Sequence, residues 1–186
     1  MNIPIPIEFY NRPTLNVARE LLGARLVRVL DGVRLAGVIT ETEAYVGETD
    51  LGCHAKAGRT KRTAVMYGPP GRAYVYFTYG MHWCLNAVTE AEGFPAAVLI
   101  RAIRPVEGGE VIAQRRQGRD VNGPGKLTQG LGIDGGQNGA DLTETGSGLW
   151  IEAGQFIPEN RVTITPRVGL NVPEPWKSIP WRFVAR

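Results

Sequence analysis

Apolar positions along the chain recur at helical and strand spacings, and these assign its elements. Leu15, Ala18, Leu21 and Leu22 share one helical face, with Thr14 placed to cap the segment and Gly23 to end it. That predicts a short helix over 15–22. Asp31-Gly32 then separates Leu26-Val27-Arg28-Val29-Leu30 from Val33-Arg34-Leu35-Ala36-Gly37-Val38-Ile39, the signature of a type I′ hairpin. Continued without a bulge, the second strand puts Leu35, Ile39, Glu41 and Glu43 on one face, so acids end an apolar row. Gly68-Pro69-Pro70-Gly71 is a rigid turn that launches an aromatic, β-favouring strand over 72–79, broken at Gly80. Strands over 81–88 and 96–103 flank a turn at Glu92-Gly93, and a helix covers 110–117, ending at Gly118. The run Gly123-Pro124-Gly125-Lys126-Leu127-Thr128-Gln129 feeds a helix N-terminus. Short β segments follow at 149–152, 161–165 and 181–184. There is no internal repeat and no linker-like shift in composition. Residues 1–186 therefore read as a single mixed α+β domain with a mostly antiparallel sheet and several short helices.

Composition adds a partner class. The hydrophobic fraction of 43% and charged fraction of 21% are those of an ordinary soluble globular protein. A chain of 186 residues buries enough surface to need no disulfide or metal staple. The net charge of +3 is modest, but the cations divide into 17 Arg and 4 Lys. Arginine forks grip phosphate bidentately and stack on rings, so this bias favours a nucleic-acid partner. Cys53 and Cys84 are too few for a disulfide framework. With His54 and His82 they could be imagined around zinc, but adjacent Cys53-His54 point opposite ways on an extended strand. Two buried, reduced thiols and no metal or cofactor are the expectation. No leader pattern opens the chain and its apolar runs are short, so a cytoplasmic protein without membrane association is expected.

Four features carry candidate chemistry, and each has a plainer explanation. Glu41-Thr42-Glu43-Ala44-Tyr45 sets carboxylates beside a ring, although paired acids are common at strand edges. The segment from Tyr74 to Trp83 is rich in aromatics, which at strand spacing are usually core. Lys126 at a glycine-rich helix entry could bind phosphate, although the spacing of a Walker loop fails. Arg101 interrupts an apolar strand and must face a partner, if only a structural carboxylate. Together they supply the parts for excising a base from DNA: aromatic walls, a wedge, a carboxylate to activate water, and cations for phosphates.

At this point the sequence resembles a known family. Thr42-Glu43-Ala44-Tyr45, with His54 eleven residues after Glu43, is similar to the active-site segment of the 3-methyladenine (alkylpurine) DNA glycosylases, the mammalian alkyladenine type. The likeness continues in order through Gly68-Pro69-Pro70-Gly71, Tyr74-Val75-Tyr76 and Tyr79-Gly80-Met81-His82-Trp83-Cys84-Leu85-Asn86. It runs on through Leu99-Ile100-Arg101-Ala102, Gly123-Pro124-Gly125-Lys126-Leu127, Arg167-Val168-Gly169 and Pro180-Trp181-Arg182-Phe183. These blocks span nearly the whole chain. One departure is Thr63, where the family often carries Asn, which leaves the surface near it in question.

The resemblance implies a curved antiparallel sheet and a monomeric enzyme that flips damaged purines out of double-stranded DNA. It implies Glu43 as the base that activates water, with Arg101 positioning that water and Val168 making a backbone contact near it. Tyr45, His54 and Tyr76 would sandwich the base, and Asn86 would crowd the 2-amino group of guanine. Tyr79, with Met81 beside it, would fill the gap in the duplex, and Lys126 would touch phosphate. In a bacterium such an enzyme would associate with the nucleoid. A damage sensor without chemistry is the rival from another class, but it has no use for a carboxylate at Glu43. A zinc deaminase is a second rival, and its H-x-E and P-C-x-x-C signature is absent.

Overall fold

The computed structural model describes residues 3–186, and among them no helix is long and apolar enough to cross a membrane. Eight strands form one curled antiparallel sheet: β1 (Arg25–Leu30), β2 (Val33–Val46), β3 (Ala73–Thr78), β4 (His82–Val88), β5 (Ala96–Glu107), β6 (Leu149–Glu152), β7 (Val162–Thr165) and β8 (Arg182–Ala185). Their order is β3-β4-β5-β2-β1-β6, with β7 and β8 branching from β2. Helices α1 (Ile7–Tyr10), α2 (Thr14–Glu20), α3 (Gly109–Arg115) and α4 (Pro124–Leu131) are all short. The architecture is α+β, as the pattern and the resemblance both indicate.

The predicted hairpin is present. Asp31 and Gly32 take φ of 50° and 78°, the left-handed pair that a type I′ turn requires. Helix α2 departs from expectation at its start. Pro13 occupies the N-cap, and Thr14 is the first helical residue with no capping bond. Its hydroxyl is taken by Glu90 at 2.6 Å, a partner 76 residues away that local reading could not supply. Four 3-10 segments, at His54–Ala57, Ala64–Tyr67, Gly135–Gln137 and Glu159–Arg161, were not foreseen either.

The larger correction concerns β2, which does carry a bulge. Ile39 pairs with Ile103 and Glu41 with Ala102, so Thr40 is an extra residue on β2. Thr42 then pairs with Ile100, so Arg101 is an extra residue on β5. Each bulge reverses which side chains face which side. Leu35, Ile39 and Ile103 lie in the main apolar core, but so do Ala44, Val98 and Ile100 beyond the bulges. Thr42 also faces that side, donating its hydroxyl to the Ala18 carbonyl of α2 at 2.7 Å. Glu41 and Glu43 consequently turn away from the face of Leu35 and Ile39.

A second apolar cluster of Cys53, Ala55, Met66, Tyr67, Tyr74, Val88 and Ala97 lies beside Tyr45 and Tyr76. Each fully buried large apolar side chain contributes roughly 1.5–3 kcal/mol. That makes this second cluster a rigid backing for whatever Tyr45 and Tyr76 line.

Candidate active site

Between the second cluster and α4 lies a cavity of about 400 Å³, within the range of small-molecule sites. Tyr45, His54, Tyr76, Tyr79, Asn86, Arg101, Lys126 and Val168 all line it. Residues from six separate stretches of chain thus meet at one place. Glu43 lies just behind the lining, fully buried.

Three groups hold the Glu43 carboxylate. The backbone N–H of Val168 donates to Oε1 at 2.7 Å, and the Tyr45 hydroxyl donates to Oε2 at 2.8 Å. Arg101 approaches Oε2 with Nη1 at 3.4 Å. Burial raises the Glu43 pKa above the ordinary carboxylate value, and the opposing pull of Arg101, Val168 and Tyr45 does not cancel it. The result is a carboxylate of increased basicity pointing toward a pocket. Tyr45 keeps its proton, because burial and the Glu43 charge raise its pKa well above that of free tyrosine.

Arg101 faces two carboxylates. Its Nε donates to Glu41 Oε1 at 2.7 Å, and Arg182 Nε donates to the same oxygen at 2.6 Å. The bulge at Arg101 lets an arginine leave an apolar strand sideways, toward the pocket, while Ile100 and Ala102 remain buried.

His54 and Tyr76 touch edge-on, with centroids 4.4 Å apart, so they belong to one wall of the cavity. The Tyr74 hydroxyl lies 3.0 Å from His54 Nδ1 and fixes that ring's rotation. Burial, helped by nearby Arg62 and Lys56, lowers His54 to about 4 and leaves the imidazole neutral at pH 7. The Tyr45 ring carries the Arg167 guanidinium on one side, 4.7 Å from its centroid. Arg62 sits likewise 5.2 Å from the centroid of Tyr76. Asn86 is buried and donates Nδ2 to the Tyr74 carbonyl at 2.9 Å.

The β3–β4 turn forms the rim. Tyr79 is 83% exposed and Met81 67%. Tyr79 also holds φ of 52°, an unfavourable conformation for a bulky side chain. Lys126, in the first turn of α4, has its ammonium 3.1 Å from Asp120 Oδ1, an exposed pair. Lys56, Arg59, Lys61 and Arg62 are exposed on the segment that follows His54.

Several contributors had no local signal. Asp50 and Arg167 form a fully buried bidentate pair at 2.8 and 2.6 Å, 117 residues apart. Through it the segment bearing Val168 is anchored beside Glu43. Arg167 and Arg182 belong to quoted motifs, but nothing in the sequence indicated what they touch. Thr63, the departure from the family pattern, is buried inside its own loop, donating to the Gly58 carbonyl at 3.0 Å. It does not line the cavity. Cys53 and Cys84 are free thiols lining the cavity, and burial raises the Cys53 thiol to about 11. Among the described residues no three His, Cys, Asp or Glu side chains converge to hold a metal.

Comparison with known proteins shows the family of the chain. The profile of the methylpurine-DNA glycosylase family matches residues 8–186. An inferred 3-methyladenine DNA glycosylase of Carboxydothermus hydrogenoformans is 50% identical over 183 residues, covering 96% of this chain and 93% of the relative. A protein of the same description from Methanocella arvoryzae is 47% identical over 184 residues, covering 96% of this chain and 90% of the relative. Another from Myxococcus xanthus is 47% identical over 182 residues, covering 98% and 90%.

Proposed function

Since the chain belongs to the methylpurine-DNA glycosylase family, and is thereby a 3-methyladenine DNA glycosylase of base-excision repair, we propose that it hydrolyses the N-glycosyl bond of a flipped, damaged purine with water activated by Glu43. The observation that carries this reading is the buried Glu43 carboxylate. It is held by Val168, Tyr45 and Arg101 immediately behind an aromatic cavity.

The extruded base stacks against the wall of His54 and Tyr76, with Tyr45 as the facing ring. A neutral His54 adds stacking surface without repelling a cationic alkylpurine. Asn86, locked to the Tyr74 carbonyl, crowds a 2-amino group and so disfavours guanine. Tyr79, with Met81, enters the gap in the duplex. The exposure of both side chains and the strained Tyr79 backbone support a wedge held ready at the turn. Lys126 meets a phosphate, which displaces Asp120 from the exposed pair.

In the chemical step, water oxygen bonds to C1′ while the electrons of the C1′–N bond depart with the base. The water proton passes to Glu43. Among the described residues Oε1 accepts one hydrogen bond, so it retains capacity for the attacking water. The same charge stabilises the oxocarbenium-like transition state, and Arg101 orients the water. An alkylated purine cation leaves without a general acid. Hypoxanthine and ethenoadenine need protonation and so are slower substrates.

The enzyme acts as a monomeric single domain and leaves an intact abasic strand, because a lyase needs an amine at C1′. Among the described residues Lys126 is the only lysine lining the cavity, and in the complex a phosphate engages its ammonium. The test is excision from duplexes that each bear one defined lesion, with borohydride present in parallel. Released free base and no trapped protein–DNA adduct are expected. A trapped adduct overturns the monofunctional reading, and no release from any alkylpurine duplex overturns the activity itself.

A further inference from the structure

Two charged side chains take no part in the mechanism above, yet one of them pairs with its arginine and the other holds that partner. Glu41 Oε1 accepts from Arg101 Nε at 2.7 Å and from Arg182 Nε at 2.6 Å. Arg182 is itself tied to β7, where its Nη1 donates to Thr165 Oγ1 at 3.1 Å. Arg101 reaches Glu43 only at 3.4 Å, well beyond the 2.7–2.9 Å usual for a charge-assisted bond. The tight pairing of Arg101 is therefore with the carboxylate that does not perform the chemistry.

We propose that Glu41, locked in place by Arg182, is a positioning residue that holds Arg101 off Glu43 and so preserves Glu43 as a base. The proposal rests on the reading of Glu43 as the group that activates water. Its geometric origin is the double bulge. The extra residue Thr40 turns Glu41 onto the site face, and the extra residue at Arg101 brings the guanidinium alongside.

Consider the same site without the Glu41 charge. Arg101 then has one carboxylate within reach, and planar guanidinium favours a bidentate pair with it. Such a pair occupies the lone pairs that water needs and stabilises the ionised carboxylate, making it a weaker base. The other groups facing Glu43 stay as they are. Tyr45 on β2 and Cys84 on β4 are kept protonated by burial, and Arg167 remains engaged with Asp50. Two carboxylates and two guanidiniums balance in the native quartet of Glu41, Glu43, Arg101 and Arg182. Losing Glu41 alone leaves an excess cation beside Glu43, and losing Arg182 leaves an excess anion.

The test reads the Glu43 carboxyl directly by 13C NMR titration of the free protein, beside single-turnover excision as a function of pH. In Glu41→Gln the Glu43 midpoint should move to lower pH and the acid limb of excision should follow it. The plateau rate above that limb should fall tenfold or more, while Glu41→Asp, which keeps the charge, should hold the midpoint near wild type. A Glu43 midpoint unchanged in folded Glu41→Gln overturns the proposal, and so does a wild-type plateau rate. A shifted midpoint with an unmoved acid limb upholds the effect on Glu43 and instead removes Glu43 as the base. If Glu41→Gln does not fold, Arg182→Gln gives the reciprocal reading, an upward midpoint, and an unmoved one there overturns the idea.

Discussion

Ionising Glu43 inside the fold places a charge where burial opposes it, and that opposition gives the carboxylate its basicity. On the proposed mechanism excision needs the ionised form, so the rate should be lost as pH falls through the Glu43 value, which lies above the ordinary carboxylate range. Glu43→Gln keeps the shape and removes the base. We expect single-turnover excision to fall by about 10² to 10⁴, with lesion binding nearly intact. A hypoxanthine duplex is the sharper substrate, because a cationic base departs too easily to expose the loss; wild-type rates there would remove Glu43 from the mechanism. His54 makes a separate prediction about stability. Its folded value of about 4 lies below the free value of 6.5, so the unfolded chain takes the proton first. The stability it contributes is present above pH 6.5 and is lost as pH falls toward 4. Glu43 has the opposite sign, since the fold binds its proton more readily than the unfolded chain does. Comparing Tm at pH 7 and pH 5 should therefore show a smaller decline in His54→Gln than in wild type.

At the scale of elements, β2 and β5 matter most because neither is regular. Their first halves present apolar side chains to the main core, and their bulges turn charged side chains toward the cavity. The β3–β4 turn shows a different compromise. Tyr79 adopts φ of 52° at the tip, where a left-handed conformation costs a non-glycine residue about 1–2 kcal/mol. Glycine removes that cost but adds about 0.5–1 kcal/mol of unfolded-chain entropy, so the two nearly offset. Tyr79→Gly should thus leave Tm unchanged or slightly raised while lesion affinity and excision fall together. Full lesion affinity in that variant would mean that Tyr79 fills no gap in the duplex.

Over the whole molecule, exposed cations adjoin two stretches that line the cavity: Lys56, Arg59, Lys61 and Arg62 follow His54, and Lys126 lies on α4. On the proposed reading, contacts from these reach phosphates, which carry no sequence information. For about five neutralised phosphates, log K against log salt should fall with a slope of roughly −4 to −5. Fluorescence anisotropy on undamaged duplexes of several sequences measures this; a flat salt response, or preference for one undamaged sequence, contradicts the footprint. The buried Asp50–Arg167 pair joins the loop after β2 to the segment after β7 and carries Val168 to Glu43. Such a pair tolerates little displacement, since separating it strands a buried charge.

Much of this was legible in the chain alone. Hairpin, strands and the helix at Pro124 followed from short-range rules, because Asp31-Gly32, glycine turns and alternating apolar residues act through neighbours. The ordered motifs identified the family, and with it which residues should meet, from Glu43 to Val168. The tertiary structure decided how they meet. Alternation alone put Glu43 on the face of Leu35 and Ile39, and only the register between β2 and β5 shows the bulge that turns it away. Thr14 has the chemistry of a cap, yet Glu90 takes its hydroxyl from 76 residues away. The partnership of Glu41 with Arg182, like that of Asp50 with Arg167, spans more than a hundred residues. A local pattern carries no information about such pairs, because their energy depends on burial and distance that exist only once the sheet has closed around them.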